Sequence, residues 1–154
     1  MKNFIFASIL LALLLTVNAA PYQLNKRATT FNPCPSDQAP NAEAITVTIG
    51  TDPPKQGEPE KFDVSGTLTK HDISKEKTFL GIGYADTSKN PIGNPFVQNF
   101  TQDFKSGSQF TISASDVPTP KDLPSPYVIA VIVGDPTGDP TKPDVYGCAF
   151  AIVS

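Results

Sequence analysis

The sequence predicts an all-β protein, an immunoglobulin-like β-sandwich of about seven strands in two sheets. Three observations lead to that class: apolar residues alternate over short runs, turn-forming clusters separate the runs, and 16 prolines oppose long helices. The predicted strands cover residues 45–49, 62–68, 78–85, 96–104, 109–115, 127–133 and 145–153.

The first three predicted strands show the alternation most clearly. Ile45, Val47 and Ile49 alternate with two threonines, which is typical of a strand with one buried face. In residues 78–85, Leu80, Ile82 and Tyr84 share one face, whereas Phe79, Gly81, Gly83 and Ala85 lie on the other. Glycine inside a strand often marks a place where another group approaches the backbone closely.

The fourth predicted strand has phenylalanines at positions 96, 100 and 104, a spacing that puts them on one face of either a helix or a strand. The preceding segment NPIGNP, taken as a turn, and the β-rich neighbourhood favour the strand. In a strand, Asn99 of the sequon Asn99-Phe100-Thr101 points away from the phenylalanines. A glycan at Asn99 would therefore stand outside the sandwich.

The last two predicted strands differ in character. Residues 127–133 are almost continuously apolar, which predicts a strand covered on both faces. In residues 145–153, Cys148 shares a face with Tyr146 and Phe150, and we expect that face to point inward. The chain has only two cysteines, and in an oxidising compartment we expect Cys148 to pair with Cys34.

The N-terminal residues predict export. An apolar run follows Lys2 and ends at small residues, the pattern of a cleaved signal peptide over residues 1–19, and it is short for the alternative, a membrane anchor. Lys26-Arg27 predicts a processing site that ends a propeptide at residues 20–27, with a basic tail as the alternative. The mature domain would be residues 28–154, secreted or in the lumen of the vacuole or secretory pathway.

The charge of that mature domain excludes some partners. Residues 1–27 hold three of the 12 basic residues and none of the 15 acidic ones, which leaves nine basic residues and a net charge of −6. An acidic domain of this kind lacks the basic footprint of a nucleic-acid-binding protein. It also lacks a polybasic patch for tight binding to anionic lipid, so we expect membrane contact to be transient.

Reactive groups are few. His71 is the single histidine and lies in a turn-like segment, where a solvated side chain is the favoured interpretation. The aspartates of residues 134–144 do not follow the spacing of a calcium loop, and no Cys/His cluster suits zinc. The sequence therefore predicts no catalytic residues, no metal and no cofactor, and a protein that is not an enzyme.

Four stretches taken in order resemble one family. They are DPPKQG at residues 52–57, FDVSGTLTK at 62–70, LPSPYVIAVIV at 123–133 and GCAFAIV at 147–153. Together they are similar to the ML-domain lipid-recognition family, in particular the fungal phosphatidylglycerol/phosphatidylinositol transfer proteins, a family that includes the Niemann–Pick C sterol carriers. The resemblance extends from Cys34 to the C-terminus and implies a Cys34–Cys148 bridge. This chain departs from the family by lacking its two further disulfides.

The resemblance implies a function: a phospholipid or sterol held in an apolar cavity between the two sheets and exchanged between membranes by a monomer. The alternative is a solid immunoglobulin-like secreted interaction or adhesion module with no lipid ligand, which would have a packed interior and an exposed apolar patch. The residues predicted to face the lipid are Phe62, Val64, Leu68, Ile82, Tyr84, Phe96, Phe100, Phe104, Phe110, Ile112, Ile129 and Val131.

Overall fold

The computed structural model describes residues 29–139 and 141–154, so the predicted signal peptide and propeptide lie outside the described residues. No helix occurs within these two ranges, and none there could cross a bilayer. The described chain forms nine strands: β1 Asn32–Pro33, β2 Glu43–Ala44, β3 Thr46–Ile49, β4 Pro59–Thr67, β5 Phe79–Asp86, β6 Pro91–Asn99, β7 Gln109–Pro118, β8 Tyr127–Asp135 and β9 Asp144–Val153.

The strands form two sheets, which confirms the predicted β-sandwich. The larger sheet has the order β1-β9-β8-β5-β6, with β2 also paired to β9, and the smaller sheet has the order β3-β4-β7. Neighbouring strands are antiparallel except for β2, which runs parallel to β9. Side chains from the facing surfaces of the two sheets form one core cluster.

Six of the seven predicted strands coincide with observed strands to within three residues, but the fourth prediction is displaced. The strand runs over Pro91–Asn99, so NPIGNP belongs largely to the strand and Phe100 lies just beyond it. Strand β6 is the edge strand of its sheet, where proline is tolerated because one row of backbone donors has no partner strand. Phe104 instead forms an isolated bridge with Ile73.

The prediction that Cys148 faces inward is wrong. In β9 the inward side chains are Ala149, Ala151 and Val153, whereas Ile152 is 57% exposed on the outer face. Cys148 lies on that outer side and is joined to Cys34, with 5.6 Å between the two Cα atoms, which confirms the predicted disulfide. The N-terminal segment packs over the outer surface near the bridge, so this cysteine is buried without belonging to the sandwich interior.

One long edge of the sandwich is closed by the chain itself. Strand β2 pairs with β9 in the larger sheet, β3 pairs with β4 in the smaller sheet, and Ile45 lies between them. Its side chain occupies space left by two glycines: a Cβ on Gly147 would lie 2.7 Å from Ile45 Cγ2, and a Cβ on Gly66 would lie 3.4 Å from it. We call this side, residues 43–49 with Gly66 and Gly147, the crossing edge.

Candidate ligand site

The structure brings all twelve residues of the predicted lipid site to the interior. Nine are buried in the core cluster, and the three that are partly buried pack against it, namely Phe96, Phe104 and Ile112. Nine of the residues lie in strands of the two sheets, where inward positions recur every second residue, whereas Leu68, Phe100 and Phe104 lie in the segments that follow β4 and β6. Their shared location is therefore observed, whereas contact with a lipid stays a prediction.

Aromatic rings fill one end of this interior. Phe100 packs against Phe110 with ring centres 5.8 Å apart, and Phe104 packs against the same two rings at 6.2 and 6.4 Å. All three pairs are edge-to-face, an arrangement favoured by the ring quadrupoles. The phenylalanine cluster, Phe100, Phe104 and Phe110, is thus packed on itself.

The cluster lies beside the second long edge of the sandwich, where the sheets are joined differently. Strands β6 and β7 are the terminal strands of their sheets and are not hydrogen-bonded neighbours in either. The Gln98 side-chain amide donates a hydrogen bond of 3.0 Å to the Ser113 carbonyl across the gap. A cavity of about 220 Å³ lies there, and its lining is mainly polar, with Gln98, Gln102 and Thr111 beside Phe104 and Ile112. We call this side, β6 with β7, the open edge.

A group of buried polar side chains lies at the other end of the interior, and the sequence analysis did not find it. Glu60 from β4, Tyr84 from β5 and Thr119 from the segment after β7 are each more than nine-tenths buried. Glu60 Oε1 accepts hydrogen bonds of 2.9 Å from the backbone amides of Thr51 and Lys61. Among the described residues, however, Glu60 Oε2, the Tyr84 hydroxyl and the Thr119 hydroxyl have no hydrogen-bond partner.

The environment of these groups is poorly solvated. Burial raises the pKa of the Tyr84 hydroxyl above its ordinary value. The Thr119 side chain lowers this pKa in part, and the charge of Glu60 raises it further. The ring centre of Tyr127 lies 6.0 Å from that of Tyr84. Burial raises the pKa of Tyr127 to about 12, with smaller contributions from Tyr84, Asp52 and Glu60. Both tyrosines are therefore neutral donors at physiological pH. We call Glu60, Tyr84 and Thr119 the polar cluster.

One residue, Glu60, carries a sequence signal from which this buried polar group could have been predicted. Glu60 stands two positions before Phe62, which itself stands two before Val64, so a carboxylate continues an apolar inward series. A charged side chain at an inward strand position is rarely buried unless something in the interior compensates it.

The outer face of the larger sheet is a second notable surface, because it is apolar where an outer face is ordinarily polar. A groove of about 470 Å³ lies across β5, β6 and β8 and is lined by Phe79, Gly81, Val97 and Ile132 among others. Val97 is 58% exposed. The predicted coverage of β8 on both faces is observed in part, since its inward side chains are buried and Val128, Ala130 and Ile132 on the outer face are partly buried.

Asn99 lies at the rim of this outer groove. Its side chain is exposed and pairs across the strand with Phe79, while Phe100 is buried, as expected for a sequon that points outward. The position of Asn99 is thus confirmed, and its glycosylation stays a prediction.

His71 is less solvated than the sequence suggested. Its ring is partly buried and stacks on Tyr146 with ring centres 3.9 Å apart and planes 12° from parallel. The Tyr146 hydroxyl donates to Asp135 Oδ2 at 3.2 Å, and the Thr78 hydroxyl donates to Asp135 Oδ1 at 2.7 Å. Within residues 29–139 and 141–154, no group of three or more acidic, cysteine or histidine side chains is placed to hold a metal ion.

No protein-family model matches this chain, and no curated protein matches it either.

Proposed function

We propose that this protein is a non-enzymatic lipid carrier of the secretory pathway, which holds a phospholipid or sterol between its two sheets and exchanges it between membranes. The observation that carries the proposal is the open edge. Along it the apolar interior is separated from solvent by side chains, with no strand pairing between β6 and β7.

The physical need for such a carrier is large. Moving a two-chain lipid through water exposes about thirty methylenes, at a cost of about 24 kcal/mol, or ~0.8 kcal/mol for each one. An apolar protein interior is nearly as favourable for those chains as a bilayer, so exchange between the two is close to balance. The carrier then acts by removing the aqueous barrier.

Lipid entry on this proposal requires the phenylalanine cluster to move. The rings of Phe100, Phe104 and Phe110 are in mutual contact, and Phe104 and Ile112 are only partly buried at the opening. Rotation of these side chains towards solvent opens the interior without breaking any backbone hydrogen bond between β6 and β7. Lipid chains then replace the contacts that the rings made with one another.

The proposal is tested on protein purified from producing cells. We expect organic solvent to extract a lipid that mass spectrometry identifies, and we expect the protein to move fluorescent phospholipid or sterol probes between vesicles. Lipid-free protein that moves neither class of probe would overturn the proposal. N-terminal sequencing of the secreted chain, with a start at Ala20 or Ala28, tests the proposed export in the same preparation.

A matched pair of variants tests the route. Ile112→Trp adds bulk at the open edge, and we expect it to reduce lipid transfer at least tenfold while the fold survives. Ile152→Trp adds the same ring to the outer face, where Ile152 is 57% exposed, and should leave transfer unchanged. Equal transfer by both variants would place the route elsewhere.

The outer groove favours a second candidate function, an interaction module with no lipid ligand. Contiguous apolar surface on an outer sheet face is typical of a protein-binding site, and Val97 is an exposed member of the groove lining. On this alternative the purified protein carries no lipid, and Val97→Lys abolishes self-association measured by light scattering. A lipid-bearing monomer that Val97→Lys leaves unchanged would exclude it.

A further inference from the structure

The outer groove of the larger sheet has an apolar floor that a glycine keeps low. A Cβ on Gly81 would lie 3.0 Å from Ile132 Cγ1 and 3.3 Å from Phe79 Cε2, so both side chains pack over this glycine. Val97, the cross-strand partner of Gly81, lies beside them and is 58% exposed. The groove of about 470 Å³ is within the size range of clefts that hold small ligands, so the identity of its occupant is a structural question.

One member of the groove lining carries a modification signal. Asn99, the acceptor residue of the sequon Asn99-Phe100-Thr101, lines the groove and is exposed. It is the direct cross-strand partner of Phe79. Side chains at such paired positions stand on the same face, with Cβ atoms about 4.5–5.5 Å apart. A sugar attached to Asn99 would therefore begin within reach of the Phe79 ring.

We infer that the occupant of the outer groove is the chain's own N-linked glycan, whose first N-acetylglucosamine packs on Phe79 and Val97. The inference requires the export that the proposed function includes, and it is independent of whether the interior holds a lipid. In the transfer step, Asn99 Nδ2 forms a bond to the anomeric carbon of the first sugar and loses a proton, while the lipid pyrophosphate of the oligosaccharide donor leaves.

The chemistry of the groove suits a hexosamine ring. The faces of a pyranose present C–H groups, whose partial positive charge is attracted to the negative face of an aromatic ring such as Phe79. The hydroxyl groups lie at the ring edges, where water or the exposed carboxylate of Asp139 in the groove lining can accept hydrogen bonds. The sugar therefore covers apolar surface without burying an unpaired polar group.

A second copy of the chain is the competing occupant. Asn99 lies within the surface that such a copy would bury, so a glycan at Asn99 excludes the copy sterically. The adjoining sheet edge is also unsuited to strand addition, because Pro91 and Pro95 remove backbone donors from the edge strand β6. Both features favour a monomer whose outer face is covered by its own glycan.

The test uses secreted protein with isotope-labelled methyl groups, trimmed by endoglycosidase H so that one N-acetylglucosamine remains. We expect mass spectrometry to find that sugar on Asn99, and we expect nuclear Overhauser effects between its protons and the Val97 methyl groups. An unmodified Asn99, or a modified Asn99 without these contacts, would overturn the inference. Lipid extraction and transfer test the carrier function separately, so that function stands or falls on its own result.

Two substitutions of Thr101 isolate the effect of the glycan. Thr101→Ala destroys the sequon, whereas Thr101→Ser keeps it and is the matched control. A soluble paramagnetic reagent measures the exposure of Val97 against Ile152, because these side chains are 58% and 57% exposed on the same outer face. We expect Val97 methyls to relax about threefold more slowly than Ile152 methyls in the glycosylated native and Thr101→Ser proteins, since contact with the sugar removes accessible surface.

In Thr101→Ala protein that light scattering shows to be monomeric, we expect the methyl groups of Val97 and Ile152 to relax at similar rates. Protection of Val97 that persists in this monomer would mean that something other than the glycan covers the groove, and would overturn the inference. Self-association of the glycosylated native protein that Val97→Lys abolishes would assign the groove to a second copy, and would overturn it as well.

Discussion

The two long edges of the sandwich are closed in different ways. At the crossing edge the chain passes from one sheet to the other through Ile45, with β2 and β3 hydrogen-bonded on either side of it. At the open edge, β6 and β7 face each other without pairing. Backbone ladders resist separation cooperatively, whereas side-chain contacts exchange one at a time. One side is therefore held by backbone hydrogen bonds in both sheets, whereas the other is held by side-chain contacts, so we expect the open edge to separate more readily.

The largest expected effect is at the crossing edge, where the disulfide anchors the N-terminal segment. Replacing both Cys34 and Cys148 by serine releases a loop of 114 residues and should lower the free energy of unfolding by about 5 kcal/mol in the chain-entropy model. Urea unfolding of the purified variant measures this loss. A loss below about 1 kcal/mol would mean that the crossing edge is held without the bridge.

Two glycine substitutions compare the edges at the next level. Gly147→Ala places a Cβ 2.7 Å from Ile45, so the crossing must shift, and we expect a loss of about 1–3 kcal/mol. Gly83→Ala, on the outer face of β5 next to the edge strand β6, meets its nearest atom, Pro95 Cβ, at 3.9 Å and should change stability by less than about 0.5 kcal/mol. Urea midpoints compare the two; similar losses would remove the distinction between the edges.

Gln98→Ala should affect exchange more than stability. The variant loses the hydrogen bond to Ser113, worth about 0.5–1.5 kcal/mol, and this loss favours opening by roughly 2- to 10-fold. We expect faster transfer of a fluorescent lipid between vesicles, with a melting temperature within a few degrees of the native value. Gln102→Ala, which trims the lining of the same cavity without touching Ser113, is the control and should leave the rate unchanged.

The smallest expected effect concerns pH at the crossing edge. Burial raises the pKa of the Glu43 carboxyl, but hydrogen bonds from Thr69 and Lys70 and the charge of Lys70 outweigh that effect, so the pKa lies below its usual value of 4.5. A lowered folded-state pKa stabilises the protein above the unfolded-state pKa, and the contribution is lost as pH falls through the folded value.

The Glu43→Gln variant should therefore have a slightly lower melting temperature than the native protein at pH 7. This difference in melting temperature should shrink as the pH falls through the lowered pKa of Glu43. Thermal melts at pH 7 and pH 3 measure it. If the difference in melting temperature is the same at pH 7 and pH 3, the charge of Glu43 does not hold β2 against the start of the β4–β5 connection.

The fourth strand shows where local sequence rules reach their limit. Pro91 and Pro95 predict a turn, because proline is excluded from most strand interiors. They are compatible with β6 only because it is an edge strand, and being an edge is a property of the whole sheet. Alternating apolar residues, and in residues 127–133 a nearly continuous apolar run, located the other six strands.

Cys148 and Glu60 teach the same lesson for side chains. The face of β9 that carries Cys148 is apolar, as an inward face would be, but it is covered by the N-terminal segment across the disulfide. Glu60 continues an inward apolar series, yet the sequence does not say that its carboxylate is buried and bonded to the backbone amides of Thr51 and Lys61. Periodicity groups the residues of one face, and only contacts with distant parts of the chain tell which face is the interior.

The sequence by itself determined the all-β class, six of the seven predicted strands, the cysteine pair and the twelve residues that line the interior. The strands, their inward faces and the cysteine pair depend on local alternation and composition, which involve only a few neighbouring residues or a simple count. Tertiary structure alone decided which edge is crossed and which is open, which face of β9 is inside, and that the polar cluster assembles. Those properties arise from residues far apart in the chain, whose proximity exists only once the two sheets have packed together.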